Sequence, residues 1–245
     1  RGYMMGYIGG GLLLAINVVM IMIVPGLIPS LSTGLMTRLS FLTVAVWWFV
    51  FSLPILRRVT EPVRRIEVGE EGFSAIQASF SRLKKTFTEL KKYRDLSLAM
   101  LAFWIYANGI GTIITMATIY GKELNFSDTT LLGTLLMVQF LAAPFALLFG
   151  WLAKKIGTKK SIYLSLAIYS LIAILGYFMY HEWQFWALGA AVATVQGGSQ
   201  ALSRSMVGRM IPKSKSAEFF GFFSVFEKFA SILGPFLFGV ISAIM

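Results

Sequence analysis

The 245-residue chain contains no cysteine and a single histidine, His181. The first absence excludes disulfides and thiolate metal sites, and together the two exclude a haem centre. Charge is scarce as well. Charged residues make up 13% of the chain, where a soluble domain carries about a quarter. Acidic side chains, 11 against 22 basic ones, are too thinly spread through the apolar runs to build a phosphoryl-transfer or metalloprotease site. There is no H-x-x-x-H, no G-x-S-x-G and no phosphate-binding glycine loop. We therefore expect no catalytic residues, no metal, no cofactor and no enzyme activity.

What is present is apolarity, 57% hydrophobic residues with a mean hydropathy of +0.73. It comes in continuous runs rather than the alternating short segments of an outer-membrane barrel, so the fold class expected is an all-α, polytopic membrane bundle. The organising stretch is 150–160, GWLAKKIGTKK, a basic turn between two runs of about twenty apolar residues, each long enough to cross a hydrocarbon core of about 30 Å. Applied along the chain, the same reading gives seven spans, roughly 7–28, 38–56, 96–120, 130–149, 162–180, 183–202 and 219–245.

Counting Lys and Arg on alternate sides puts 19 on one side and two, Arg38 and Lys122, on the other, with Lys228 inside a span. The basic side is expected to be cytoplasmic, and its cations to meet anionic headgroups rather than nucleic acid. Residues 58–94 are the long basic link. Within it Phe73, Ile76, Phe80, Leu83, Phe87 and Leu90 recur at spacings of three and four opposite a cationic face, the pattern of a helix lying in the membrane surface or receiving a partner. The chain opens on Arg1 and stops at Met245 within an apolar run, which reads as a piece of a longer protein.

Polar side chains within spans are few enough to name. Asn108, Thr112 and Thr115 fall within about 60° on one helix face, and Gln196, Ser199, Gln200 and Ser203 within about 100° on another. One polar face per helix suits a solute pathway, and it also suits plain interhelical hydrogen bonding. Glu227 and Lys228 form the ionisable pair of the last span. Glu227 lies about 12 Å deep by helix rise, where burial would make it a proton site, whereas Lys228 can reach back to the surface. Gly2, Gly6 and Gly10 recur every four residues with Gly9 and Gly11 beside them, a face for close helix approach. The pair Gly234-Pro235 is expected to interrupt the last span.

The basic turn resembles the signature loop of the major facilitator superfamily, with Gly150 and Gly157 at its glycine positions and Lys154 where that loop carries an acid. WIYANGIGTIITMATIYG, GWLAKKIGTKKS, QGGSQALSRSMVGRMIPKSKSAEFFGFFSVFEKFASILGP and RGYMMGYIGGGLLL further resemble its vacuolar-effluxer-like branch, the autophagy-related, amino-acid-efflux branch. The resemblance implies helices five to eleven of twelve. Residues 1–57 would be the last two helices of the N-terminal half, 58–94 the linker between halves, and 95–245 the first five helices of the C-terminal half.

It implies a secondary active transporter working by alternating access on a small polar solute, with amino-acid efflux the leading case. Asn108, Thr112, Thr115, Gln196, Ser199 and Gln200 would bind the solute, and Glu227, Lys228, Gly150 and Gly157 would serve coupling and gating, with Glu227, from its depth in the span, the candidate for proton coupling and a bacterial plasma membrane the expected location. A non-transporting receptor or scaffold and a lipid transporter of the same fold are the alternatives.

Overall fold

The computed structural model describes residues 2–60, 72, 74–90, 92–212 and 215–244. Every regular element among them is helical. In order these are α1 (Gly2–Val18), a π turn (Val19–Ile23), α2 (Val24–Leu27), α3 (Thr33–Arg58), α4 (Ala75–Leu90), α5 (Arg94–Glu123), α6 (Asp128–Ile156), α7 (Thr158–Tyr177), α8 (Glu182–Met210) and α9 (Ser216–Ile244). Among the described residues six stretches are long and apolar enough to cross a membrane: Gly2–Leu27, α3, α5, α6, α7 and Ser216–Ile241. The remaining expected span lies in α8, which matches α6 at 29 residues but interrupts its apolar faces with Gln, Gly and Ser.

The π turn has a local cause. Pro25 has no N–H to give the carbonyl one turn back, and the helix before it widens so that the Val24 N–H bonds the Val19 carbonyl. Pro54 and Pro144 also sit inside helices. Gly234-Pro235 corrects the sequence expectation, because α9 runs unbroken across it. In hydrocarbon a broken backbone has no water to bond, so a helix that loses one bond at proline is preferred to one that ends.

The basic turn is likewise tighter than expected. Ala, Leu and Lys are good helix formers, and α6 continues through them to Ile156. Gly157 alone separates it from α7. Its φ of 91° and ψ of 151° belong to a region open to glycine and hardly to other residues. Lys155 folds back over the Trp151 ring at 4.1 Å, lying along the helix end rather than pairing with an acid.

α8 carries more buried residues than any other helix among those described. It packs on α6 and α7 and touches α5 and α1. The approach to α6 is close because small residues face it: a Cβ on Gly197 would stand 2.8 Å from Ala146 and 2.9 Å from Tyr7, one on Gly189 would strike Thr134, and one on Gly198 would strike the Phe149 ring. The glycine face of α1 is used in part. Gly11 lies against Gln139 and Phe140 of α6, whereas Gly2 and Gly6 have open space beside them.

α9 packs on α5, where Gly234 sits directly over Thr112. Leu96, Met100, Phe103, Val207, Phe219 and Phe223 tie α5, α8 and α9 together near the basic ends of the helices. α4 docks on this cluster through Leu83 and the fully buried Thr86, whose hydroxyl donates to Glu218 of α9 at 3.3 Å. Ile76, Phe80 and Phe87 remain exposed, while Phe73 and the side chain of Leu90 lie outside the described residues, as do Arg1, Arg64, Arg65, Lys91 and Lys213 of the charge count.

At the opposite end of the bundle the N-termini of α6 and α8 are joined by Glu182. Its carboxylate accepts from the Thr130 hydroxyl at 2.6 Å and the Ser127 N–H at 2.7 Å. Those donors, Thr130 first, hold the carboxyl below its ordinary value of 4.5.

Two measurements follow for the intact protein in detergent. Gly157→Ala should lower its thermal stability by the cost of a strained backbone, about 1–3 kcal/mol. Gly198→Leu should lower it through collision with Phe149, whereas Gly150→Ala, with open space around it, should leave it unchanged or raise it by up to about 1 kcal/mol. A lowered folded-state pKa stabilises above the unfolded value and is lost as pH falls through the folded one. Wild type should therefore out-melt Glu182→Gln at neutral pH, with the difference closing below about pH 4.

Candidate solute cleft

A cleft of about 510 Å³ opens between α1, α6 and α8. Tyr3 and Tyr7, one turn apart, come from α1, Gln139 comes from α6, and Gln196, Gln200 and Arg204 at successive turns come from α8. Gly2 and Gly6 form the α1 floor, and their missing side chains are what keeps the space open. The carboxamides are half-buried, and the Tyr7 hydroxyl donates to Gln200 Oε1 at a long 3.5 Å. Gln200 thus keeps most of its hydrogen-bonding capacity.

A second cavity of about 180 Å³ adjoins it, sharing Tyr3, Gln200 and Arg204. Its other walls are Tyr106, Ile110 and Gly111 of α5, Ser199 and Ser203 of α8, and Phe223 and Glu227 of α9. The hydroxyls there are committed. Tyr106 donates to Ser203 Oγ at 2.5 Å, Ser203 donates to the Ser199 carbonyl at 2.6 Å, and Ser199 donates to the Gln196 carbonyl at 3.0 Å. Both serines are almost wholly buried, so their role here is to hold α5 to α8 and to their own helix.

The structure brings Gln196, Ser199, Gln200 and Glu227 to these two cavities and places the α5 stripe elsewhere. Asn108 donates to the Trp104 carbonyl at 2.8 Å, Thr112 to the Asn108 carbonyl at 2.7 Å and Thr115 to the Gly111 carbonyl at 2.8 Å. Gly234 of α9 covers Asn108 and Thr112, and Thr115, further along the same face, is exposed. The Asn108 Oδ1 is buried without a partner among the described residues.

Glu227 departs from its expected enclosure. It is exposed on α9, as is Lys228, and its carboxylate borders the smaller cavity. Gly150 and Gly157 lie at the α6–α7 joint, away from both cavities.

Arg204, Gln139, Tyr3 and Tyr7 were not among the sequence candidates. Arg204 reads as a link cation because it follows the apolar run, yet the helix continues to Met210 and carries it one turn beyond Gln200. The repeat Q-x-x-x-Q-x-x-x-R is the signal that marks it. Tyr3 and Tyr7 show the same spacing, visible once α1 is seen to begin at Gly2 rather than near residue 7.

The absence of cysteine makes the cleft directly testable. With any cysteine outside this chain replaced, Gln200→Cys and Gln196→Cys should react with a charged, water-soluble thiol reagent, and Thr112→Cys beneath Gly234 should be protected. Equal labelling at all three positions would refute the geometry.

The family model described as "Vacuole effluxer Atg22 like" matches residues 1–244. An uncharacterized MFS-type transporter, YxiO, of Bacillus subtilis (strain 168) is 39% identical over 98% of the chain and 55% of its own length. Autophagy-related protein 22 of Yarrowia lipolytica is 28% identical over 98% of the chain and 44% of its own length, and that of Saccharomyces cerevisiae (strain S288c) 25% identical over 84% and 45%. The chain thus spans about half the length of these curated relatives. No solved structure matches it.

Proposed function

The chain belongs to the vacuole-effluxer, Atg22-like family of transporters, and from that premise we propose that it supplies helices five to eleven of a twelve-helix secondary active transporter of small polar solutes. It is a multi-pass integral membrane protein of the major facilitator type. The finer reading is ours: an alternating-access carrier of a bacterial plasma membrane, exporting solutes of amino-acid size.

The observation that carries this reading is the cleft itself. In a chain with 57% hydrophobic residues, three carboxamides, two phenols and a guanidinium converge on one space of about 510 Å³. Polar groups are costly in a membrane bundle, and convergence of this kind is where solute pathways lie. The helix pairing supports it, since α1, from before the long linker, packs on α6, from after it. In this reading the linker joins two bodies that meet at the cleft, and relative rotation of the two would open it to one side or the other. Glu227, bordering the adjoining cavity, is the group we propose for coupling to protons.

Counterflow of a labelled amino-acid pool into proteoliposomes bearing the intact protein tests the proposal. Saturable exchange is expected. Gln196→Ala with Gln200→Ala should weaken it about tenfold or more through loss of two polar contacts, with little change in thermal stability. Glu227→Gln should abolish gradient-driven uptake and leave exchange intact. Absence of exchange for every solute in the pool would refute the transporter reading.

A further inference from the structure

Arg204 is the single charged side chain among the residues lining the larger cleft, and no acid lines it. It makes no ion pair among the described residues. Its guanidinium instead lies over the Phe220 ring of α9 at 5.8 Å, a weak, neutral contact that orients the group and leaves its donors uncommitted. Phe220 is itself held, because it packs against the bare backbone of Gly208 one turn further along α8. The nearest lining acid, Glu227, borders the smaller cavity that also contains Arg204 and leaves the larger one uncharged but for the arginine.

Arg204 is exposed toward the basic end of α8, its donors free to meet a solute, and a planar guanidinium is matched in two hydrogen bonds by a carboxylate. Gln200 stands one turn, about 6 Å of helix rise, from Arg204, with Gln196 a turn further on, so a small molecule seated on Arg204 meets the Gln200 carboxamide first and a longer one extends toward Gln196. From this arrangement we infer that the cleft selects solutes bearing a carboxylate, with Arg204 the residue that reads the charge and the carboxamides reading the uncharged remainder. The inference rests on the transporter reading above and adds to it the charge of the solute and the residue that recognises it.

The test compares matched acids and amides, lactate against lactamide and alanine against alaninamide, as competitors of counterflow by the intact protein at pH 7 in phosphatidylcholine liposomes. The acids should compete at least tenfold better than their amides. Arg204→Gln should erase that preference, weakening the acids about 10–100-fold and the amides little. Arg204→Lys should fall between, since it keeps the charge and loses the two-pronged geometry. Thermal unfolding of each variant reports whether it folds, and the wild-type comparison of acid with amide stands without any variant.

Exchange with equal competition by acids and amides would overturn the inference and leave the transporter standing. Exchange of no solute would overturn both. A repeat with phosphatidylglycerol in the bilayer separates the other source of an oxyanion: stabilisation by that lipid with no effect of soluble acids would assign Arg204 to a headgroup phosphate and overturn the carboxylate reading.

Discussion

Every backbone N–H and C=O inside hydrocarbon must find a partner within the protein, and this requirement decides which polar side chains remain available for a solute. Short hydroxyl chains reach their own helix, and they do so here. Thr112, Thr115, Ser199, Ser203 and Ser224 all donate to carbonyls three or four residues back. Asn108 does the same with its amide. The longer chains of Gln139, Gln196, Gln200 and Arg204 carry their polar groups away from the helix axis and into the cleft. The cleft is therefore lined by what the backbone does not take up.

The same requirement shapes the helices around it. Proline is absorbed within α3, α6 and α9 rather than ending them, and at Pro25 the helix widens by a π turn instead of breaking. Once helices are obligatory, specificity falls to how closely they approach. Gly189, Ala193 and Gly197 recur every four residues on α8, letting α6 come near enough that a single added carbon would collide. Dispersion between close backbones, rather than the hydrophobic effect, binds such a pair when the surroundings are lipid.

The fold was largely legible in the sequence because length and continuous apolarity are sufficient signals for a membrane helix. The spans match the observed helices with ends displaced by a few residues, most at the C-terminal ends of α6 and α8, where basic and polar residues continue the helix past the apolar run, whereas α7 ends short of its expected span. The site was legible in part. Helical angle places Gln196 and Gln200 on one face but does not say what that face meets, so the α5 stripe at Asn108 and Thr112, equal in angle, lies under Gly234 instead. Arg204 was obscured by its charge, which topology explains equally well. The resemblance to the major facilitator superfamily gave the family, and the pairing of α1 with α6 and the closure of Gly234 on α5 came from the coordinates.

The joint at Gly157 has a mechanical meaning. Two helices of 29 and 20 residues joined by one residue have almost no slack between them, so displacement of one end of α7 would reach α6 as a rotation about that joint. α6 carries Gln139 into the cleft roughly eighteen residues from that fulcrum, a lever arm of about 27 Å. A tilt of a few degrees at the basic surface therefore moves the Gln139 carboxamide by an ångström or more, enough to make or break a hydrogen bond. A hairpin with so little slack would carry a movement at the membrane surface up to the level of the cleft.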